Sequence, residues 1–249
     1  MRGFGGVLGV ILGRGSLFEI ITCIISSAIV VFLTLPIHEY AHGFAATKLG
    51  DPTPRYQGRM TLNPLAHLDY FGSLMIFLFG FGYAKPVQVN ARYFKNPKRG
   101  MAITAFAGPL SNLIIAFIST FLYSAVYFIG IKSETFYYFS NFAEPVRVGF
   151  LGFLLYVLCQ IFFYISAINI SLAVFNLVPI PPLDGSKLLA AFLPDRIYYQ
   201  LMRYERYFTF LIFAMLMFGT RFSSVLSSIT GNIFIRFSEI AWLPFKFFI

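Results

Sequence analysis

The chain has 249 residues, of which 58% are hydrophobic and only 12% are charged, and its net charge is +9. Soluble domains average about 25% charged residues, so the composition excludes an ordinary soluble protein and indicates an integral membrane protein. In a soluble protein this charge would suggest nucleic acid. Here lysine and arginine in loops explain it, because they set membrane topology and contact anionic lipid. We therefore expect a lipid bilayer, and no nucleic acid, as a partner.

The first part of the chain predicts an interfacial segment followed by a long helix. Residues 1–16 are rich in glycine and too short to cross a bilayer, so we expect them to lie in the membrane interface. A helix is predicted over about residues 17–49, because no charged residue occurs from Ile20 to Ile37. Pro36 lies inside this helix and predicts a kink or a local break.

The region after this helix is broken by glycine and proline. Short strands are predicted at residues 55–62 and 84–90. The apolar run at 71–83 is too short for a full crossing and predicts a re-entrant or half-buried helix.

Two more long helices are predicted over about residues 99–130 and 148–178, joined by a loop at 131–147. The proline-rich stretch at 179–182 then predicts unwound backbone beside Asp184.

The last part of the chain predicts a short helix at 187–193, a crossing at 208–218, and one more span or interfacial helix within 222–249. The fold class is therefore an all-α polytopic membrane protein. It has four to six transmembrane helices around a three-helix catalytic core, with short membrane-associated β-strands and a re-entrant segment. We divide the chain into an interfacial N-terminal segment at 1–16, a catalytic transmembrane core at 17–193, and additional C-terminal transmembrane or interfacial helices at 194–249.

Loop charge predicts the topology. Lysine and arginine are in excess at residues 48–99 and 183–206, whereas the loop at 131–147 is balanced. By the positive-inside rule, the first two regions lie in the cytoplasm and the third lies outside.

The sequence His38-Glu39-Tyr40-Ala41-His42 follows the first apolar run. One helical turn separates the histidines, so both imidazoles lie on one face and can bind one zinc ion. Glu39 lies beside them, where a carboxylate can act as the general base on a zinc-bound water. Ionisable groups at the edge of a membrane helix are costly, which favours a functional site over a chance match.

Asp184 is the predicted third zinc ligand, because it follows unwound backbone on the same predicted side of the membrane. The alternative is a turn residue, since Leu-Asp-Gly is a common turn sequence. Asp51, Asp69 and His67 are the competing candidates.

Four patches of sequence between residues 38 and 185 occur in the order of a known family. They are His38-Glu-Tyr-Ala-His42, Asn63-Pro-Leu-Ala-His67, Gly108-Pro-Leu-Ser-Asn112 and Asn176-Leu-Val-Pro-Ile-Pro-Pro-Leu-Asp-Gly185. On these patches the chain resembles the site-2 protease family of intramembrane zinc metalloproteases, in its short bacterial form without a PDZ domain. The resemblance implies one zinc ion per chain, bound by His38, His42 and Asp184, with Glu39 as the base.

The resemblance also assigns the remaining patches. It implies that Asn176 lies near the metal and hydrogen-bonds the developing oxyanion, with capping of the helix end as the alternative. It implies that Asn63 and His67 line the approach to the active site, with a polar interfacial turn as the alternative. The patch at 108–112 is expected to serve close helix packing and a local helix break.

The function implied is regulated intramembrane proteolysis in a bacterial cell membrane, with peptide bonds hydrolysed within or near transmembrane segments of membrane protein substrates. The substrate must unwind locally, because the hydrogen bonds of a helix close its peptide bonds to water. The predicted strands could bind the unwound segment by adding it to a sheet edge. Whether a regulatory membrane protein gates the enzyme is left open.

Other classes of protein fit parts of this sequence. A membrane-anchored zincin that cuts soluble peptides needs a polar catalytic domain after the motif, and the sequence lacks one. A non-catalytic membrane scaffold or adaptor would not need Glu39. A transporter would be expected to have two similar halves with paired broken helices, and no such repeat is found.

Overall fold

A computed structural model describes residues 6–133, 149–194 and 220–248, together with a few positions between 196 and 208. The predicted loop at 131–147 and the predicted crossing at 208–218 therefore lie almost wholly outside the described residues.

Three helical stretches in the described part of the chain are long and apolar enough to cross a membrane. They are Leu17–Lys48, Pro97–Lys132 and Phe150–Asn176. The three long helices predicted from the sequence are confirmed, and the chain is an integral membrane protein.

A wide turn interrupts the first long helical stretch just before Pro36. Helix α2 (Leu17–Ile29), which follows the short helix α1 (Gly6–Leu12), continues through a π-helical turn at Val30–Thr34 into helix α3 (Leu35–Lys48). A proline has no N–H to bond the carbonyl four residues back, and a π-helical turn is one way for a helix to accommodate such a gap. The local break predicted at Pro36 is confirmed in this form.

Three short helices follow in the region that was predicted to contain strands. They are α4 (Thr53–Tyr56), α5 (Pro64–His67) and α6 (Tyr70–Phe79). Helix α6 ends at Gly80, whose φ of 77° lies in the left-handed region that glycine tolerates best. With 10 residues, α6 is too short to cross a bilayer, as the sequence predicted.

The predicted strand at 55–62 is wrong. Its first part belongs to the helical turn α4, and Gly58 then adopts a φ of 66°, which no regular strand contains. Composition alone indicated an extended segment here, but proline at position 54 supplies a good helix start instead.

The predicted strand at 84–90 is also wrong, because this segment pairs with no other strand among the described residues. Pro86 cannot donate a hydrogen bond. The N–H groups of Lys85, Val87 and Asn90 donate to other groups, described below, rather than to a partner strand.

Helices α7 (Pro97–Lys132) and α8 (Phe150–Asn176) pack against each other and against the first helical stretch. A buried hydrogen bond of 2.7 Å joins the hydroxyls of Thr120 and Ser166 across the two helices. In an apolar environment, such a bond fixes how two helices align.

The chain then unwinds and forms α9 (Asp184–Ala190), which begins three residues before the short helix predicted at 187–193. Helix α10 (Thr220–Trp242) packs against both α7 and α8, and a short 3-10 helix, Leu243–Phe248, follows it. Helices α3, α7, α8 and α9 therefore surround one region, where the polar residues of the motifs meet.

Candidate metal centre

Helix α3 presents His38 and His42 side by side, one turn apart, as the sequence predicted. Both side chains are buried, and their Nε2 atoms are 3.1 Å apart. Two imidazole nitrogens directed at one point form half of a typical zinc donor set.

Asp184, the first residue of α9, completes a cluster of three metal-ligating groups. Its Oδ2 atom lies 3.1 Å from Nε2 of His42 and 3.5 Å from Nε2 of His38. The three ligand atoms all lie within 4.8 Å of one another. The unwound backbone predicted from the prolines at 179–182 is observed at residues 177–183, and it allows α9 to turn its first residue back toward α3.

The Asp184 carboxyl is held in the form that binds metals. Burial raises the pKa of this carboxyl, but the charge of His42, hydrogen bonds with His38 and His42, and the charge of Lys187 outweigh burial and hold the pKa well below its usual range. The ammonium of Lys187 is 3.3 Å from Oδ1, the oxygen that does not face the histidines. Each carboxylate oxygen therefore has a separate partner.

The second nitrogen of each imidazole faces an acceptor on α7. Nδ1 of His42 is 2.7 Å from the carbonyl oxygen of Thr104, and Nδ1 of His38 is 3.3 Å from Oδ1 of Asn112. A carbonyl oxygen can only accept, so these contacts hold a proton on each Nδ1 and make each Nε2 the nitrogen that would bind a metal.

The sequence interpretation missed these two partners. The patch at 108–112 was expected to serve close helix packing and a local helix break. The break is wrong, because α7 runs unbroken from Pro97 to Lys132, and the patch also supplies Asn112 to His38. The resemblance had already marked Asn112, but its contact partner lies 74 residues away and cannot be read from the sequence.

Gly108 lies directly against the imidazole pair. A methyl group on its α-carbon would overlap the rings of both His42 and His38. The close helix packing expected at this patch is therefore an approach of α7 backbone to the two histidines, which only glycine permits.

The Glu39 carboxylate is 5% exposed, and its Oε2 atom accepts a hydrogen bond of 2.9 Å from the N–H of Val87. Glu39 borders the same cavity as the three candidate ligands. It is placed next to them without contributing an atom to the cluster.

A cavity of about 820 Å³ opens over the cluster. Cavities of roughly 300–1,000 Å³ hold drug-sized ligands, so this one has room for a short peptide segment. Its wall is largely apolar and aromatic, and it includes Phe71, Met75, Phe81 and Phe175. Asn176 also borders it, close to the end of α8.

Asn63 and His67 do not border this cavity. The Asn63 side chain accepts from the N–H of Leu65 and caps α5. His67 is buried, and its Nε2 atom is 2.9 Å from the carbonyl oxygen of Thr61. Both residues shape the turn around α5, and their part in a substrate approach stays a prediction.

The competing acids are engaged elsewhere. The carboxylate of Asp51 accepts from Thr53 and from the N–H of Asn90. The carboxylate of Asp69 caps α6 by accepting from the N–H of Gly72. Neither joins the histidines, so Asp184 is the acid that the fold brings to them.

Two imidazoles and a carboxylate beside a second carboxylate, packed among helices of membrane length, form the arrangement of a membrane-embedded metallohydrolase. The family model for peptidase family M50 matches residues 26–219. The chain belongs to this family, the site-2 proteases, as the four patches implied.

Two relatives illustrate this membership. Over 188 residues the chain is 37% identical to "Putative zinc metalloprotease YwhC" of Bacillus subtilis, covering 76% of this chain and 78% of that protein. Over 164 residues it is 27% identical to "Putative zinc metalloprotease Rip2" of Mycolicibacterium smegmatis, covering 61% of this chain and 51% of that protein. No solved structure gives a significant match.

Proposed function

We propose that this chain is an intramembrane zinc metalloprotease that hydrolyses peptide bonds within or near transmembrane segments of membrane proteins. The observation that carries the proposal is the convergence of His38, His42 and Asp184 beneath a cavity bounded by membrane-length helices. Family membership and the names of both relatives support the same activity.

The donor set fits one zinc ion per chain, held by the Nε2 atoms of His38 and His42 and by Oδ2 of Asp184. A zinc ion bound there supplies Lewis acidity, which polarises a peptide carbonyl and makes water acidic near neutral pH. Glu39 takes a proton from the attacking water and returns it to the leaving amine. Asn176 is the proposed hydrogen-bond donor to the oxyanion.

The substrates we propose are membrane proteins whose transmembrane helix unwinds next to the cavity. Its apolar wall can accept the side chains of a membrane-spanning segment, and the polar cluster forms part of its lining. A non-catalytic scaffold or a transporter would have no use for Glu39 in this place, and so the position of Glu39 favours an enzyme.

The metal dependence of cleavage tests the proposal. The probe is a synthetic peptide with an apolar span of about 20 residues, labelled with a fluorophore and a quencher and reconstituted with the purified protein. We expect cleavage that stops when zinc is chelated and recovers when zinc alone is added back. Cleavage that continues at full rate in the apoprotein would contradict a zinc protease.

A substitution at Gly108 is expected to damage the zinc site without touching a ligand. Gly108→Ala places a methyl group against both imidazoles, and overpacking of this kind costs about 1–3 kcal/mol. We expect zinc affinity to fall by about 10- to 100-fold, since a 1.4 kcal/mol change alters an equilibrium tenfold, measured by competition with a chelator. Gly9→Ala is the matched control, because an added methyl group at Gly9 meets no atom within 4 Å. Equal zinc affinity in both variants would count against the observed approach of α7.

We further propose that the active site opens toward the cytoplasm, on the basis of loop charge. Tyr56 is 84% exposed at the end of the short helix α4, and the described cysteines, Cys23 and Cys159, are buried. We expect a Tyr56→Cys variant to react with a membrane-impermeant thiol reagent in inverted membrane vesicles and not in intact cells. If the variant reacted only in intact cells, the active site would open toward the outside of the cell, and the proposed orientation would be wrong.

A further inference from the structure

The segment at residues 84–90, which we call the strap, borders the cavity. Three of its backbone N–H groups donate hydrogen bonds to the surrounding parts of the protein. Lys85 N–H donates to the carbonyl oxygen of His67 at 2.8 Å, and Val87 N–H donates to Oε2 of Glu39 at 2.9 Å. Asn90 N–H donates to Oδ2 of Asp51 at 2.7 Å. These bonds take the place of the sheet ladder that the sequence predicted.

The two outer attachments of the strap are themselves fixed. Asp51 is fully buried, and its other oxygen accepts from Thr53 N–H at 2.9 Å and from the Thr53 hydroxyl. His67 is 1% exposed and is held by a contact between its ring and the Thr61 carbonyl oxygen. The bond at Val87 therefore lies between two rigid points. The Val87 bond ties the strap to Glu39, in the first half of α3. The Asn90 bond ties the strap to Asp51, which lies just beyond the end of α3.

Glu39 has a flexible side chain, and a general base works only when its oxygen is held within hydrogen-bond reach of the proton it takes. One of its oxygens, Oε2, is occupied by Val87 N–H. Its other oxygen, Oε1, has no hydrogen-bond partner among the described residues. The contact thus fixes the carboxylate and leaves one oxygen for water.

We propose that the N–H of Val87 is the positioning group of the catalytic base, and that the strap exists at this point to hold that N–H in place. The inference rests on the proposed function, since it takes Glu39 as the base. Asp51 and His67, which the sequence offered as alternative zinc ligands, act in this account as the anchors of the strap. Val87 is a positioning residue and takes no part in the reaction itself.

The direct test removes the N–H and leaves the ligands untouched. In Val87→Pro we expect kcat for the labelled single-span peptide to fall by about 10- to 100-fold, with KM and zinc content unchanged. Val87→Ala keeps the N–H and is expected to lose far less kcat than Val87→Pro. Ala91→Pro is the matched proline control. It lies just beyond the strap at the first position of a 3-10 helix, where proline is tolerated, and its N–H makes no hydrogen bond to any residue that the structure describes.

Hydrogen exchange provides a readout that does not depend on activity. In zinc-loaded Glu39→Ala, the Val87 amide loses its acceptor, and we expect its exchange to accelerate by at least about tenfold. The Lys85 amide keeps its bond to His67 and is expected to exchange at the wild-type rate. This measurement also stands if Val87→Pro fails to fold.

Several results would overturn the inference. These are wild-type kcat in Val87→Pro, an equal loss of kcat in Ala91→Pro, or unchanged exchange at Val87 in Glu39→Ala. A raised kcat in Val87→Pro would overturn it in another way, since the contact would then restrain the base instead of positioning it. If the wild-type protein cleaves no probe, the proposed function fails, and the exchange measurement alone decides whether Val87 holds Glu39.

Discussion

Glu39→Gln is expected to abolish most of the cleavage while leaving the zinc site intact. Glutamine has nearly the shape of glutamate, and its amide oxygen can still accept from Val87 N–H, but it cannot take a proton from water. General base catalysis contributes about 10²- to 10⁴-fold, so we expect kcat to fall by that factor. The measurement is kcat on the labelled single-span peptide, with zinc content determined on the same sample.

Glu239→Gln is the matched control for this substitution. Glu239 lies on α10 and pairs with Arg236 at 2.9 Å on an exposed face, away from the candidate ligands. We expect wild-type kcat in that variant. A Glu39→Gln enzyme that kept more than about a tenth of its kcat would remove Glu39 from the role of base.

Asp184→Ala is expected to have the largest effect on zinc itself. The substitution removes one of three candidate ligands. It also removes the carboxylate that the Lys187 ammonium contacts at 3.3 Å in the wild type, and so leaves an unpaired positive charge next to the site. Loss of an outer partner of a metal site typically costs about 10- to 100-fold in affinity, so loss of a ligand with this added repulsion should exceed about 100-fold. The measurement is zinc affinity of the detergent-purified protein by chelator competition.

Asp69→Ala distinguishes Asp184 from the other acids that the sequence offered. Asp69 caps α6 through Gly72, so its loss is expected to cost about 1 kcal/mol of stability and no zinc. If Asp184→Ala retained zinc at wild-type affinity and Asp69→Ala lost it, Asp69 and not Asp184 would be the third zinc ligand.

The sequence predicted those parts of the site that depend on local periodicity. His38 and His42 lie together because a helix repeats every 3.6 residues, and the apolar run before them predicts that helix. The prolines before Asp184 predict unwound backbone, because proline cannot continue a helix. These features need no knowledge of which helices pack together.

The contacts between distant segments could not be predicted in this way. Val87 lies 48 residues from Glu39, and Asn112 lies 74 residues from His38, so both contacts depend on how the helices and loops pack. The strand prediction at 84–90 failed for a related reason. Alternating residues indicate extended chain, but they do not reveal whether its N–H groups meet a neighbouring strand or, as here, two buried carboxylates and a carbonyl oxygen.

The position of the cut bond tests the central claim most directly. The zinc-loaded protein is reconstituted into lipid vesicles with the single-span peptide, and the products are weighed by mass spectrometry, with Glu39→Gln run beside the wild type. An intramembrane zinc protease is expected to cut within the apolar span or next to its edge, and only in the wild type. A cut confined to the outer ends of the polar flanks, away from the apolar span, or one made equally by Glu39→Gln, would contradict the account.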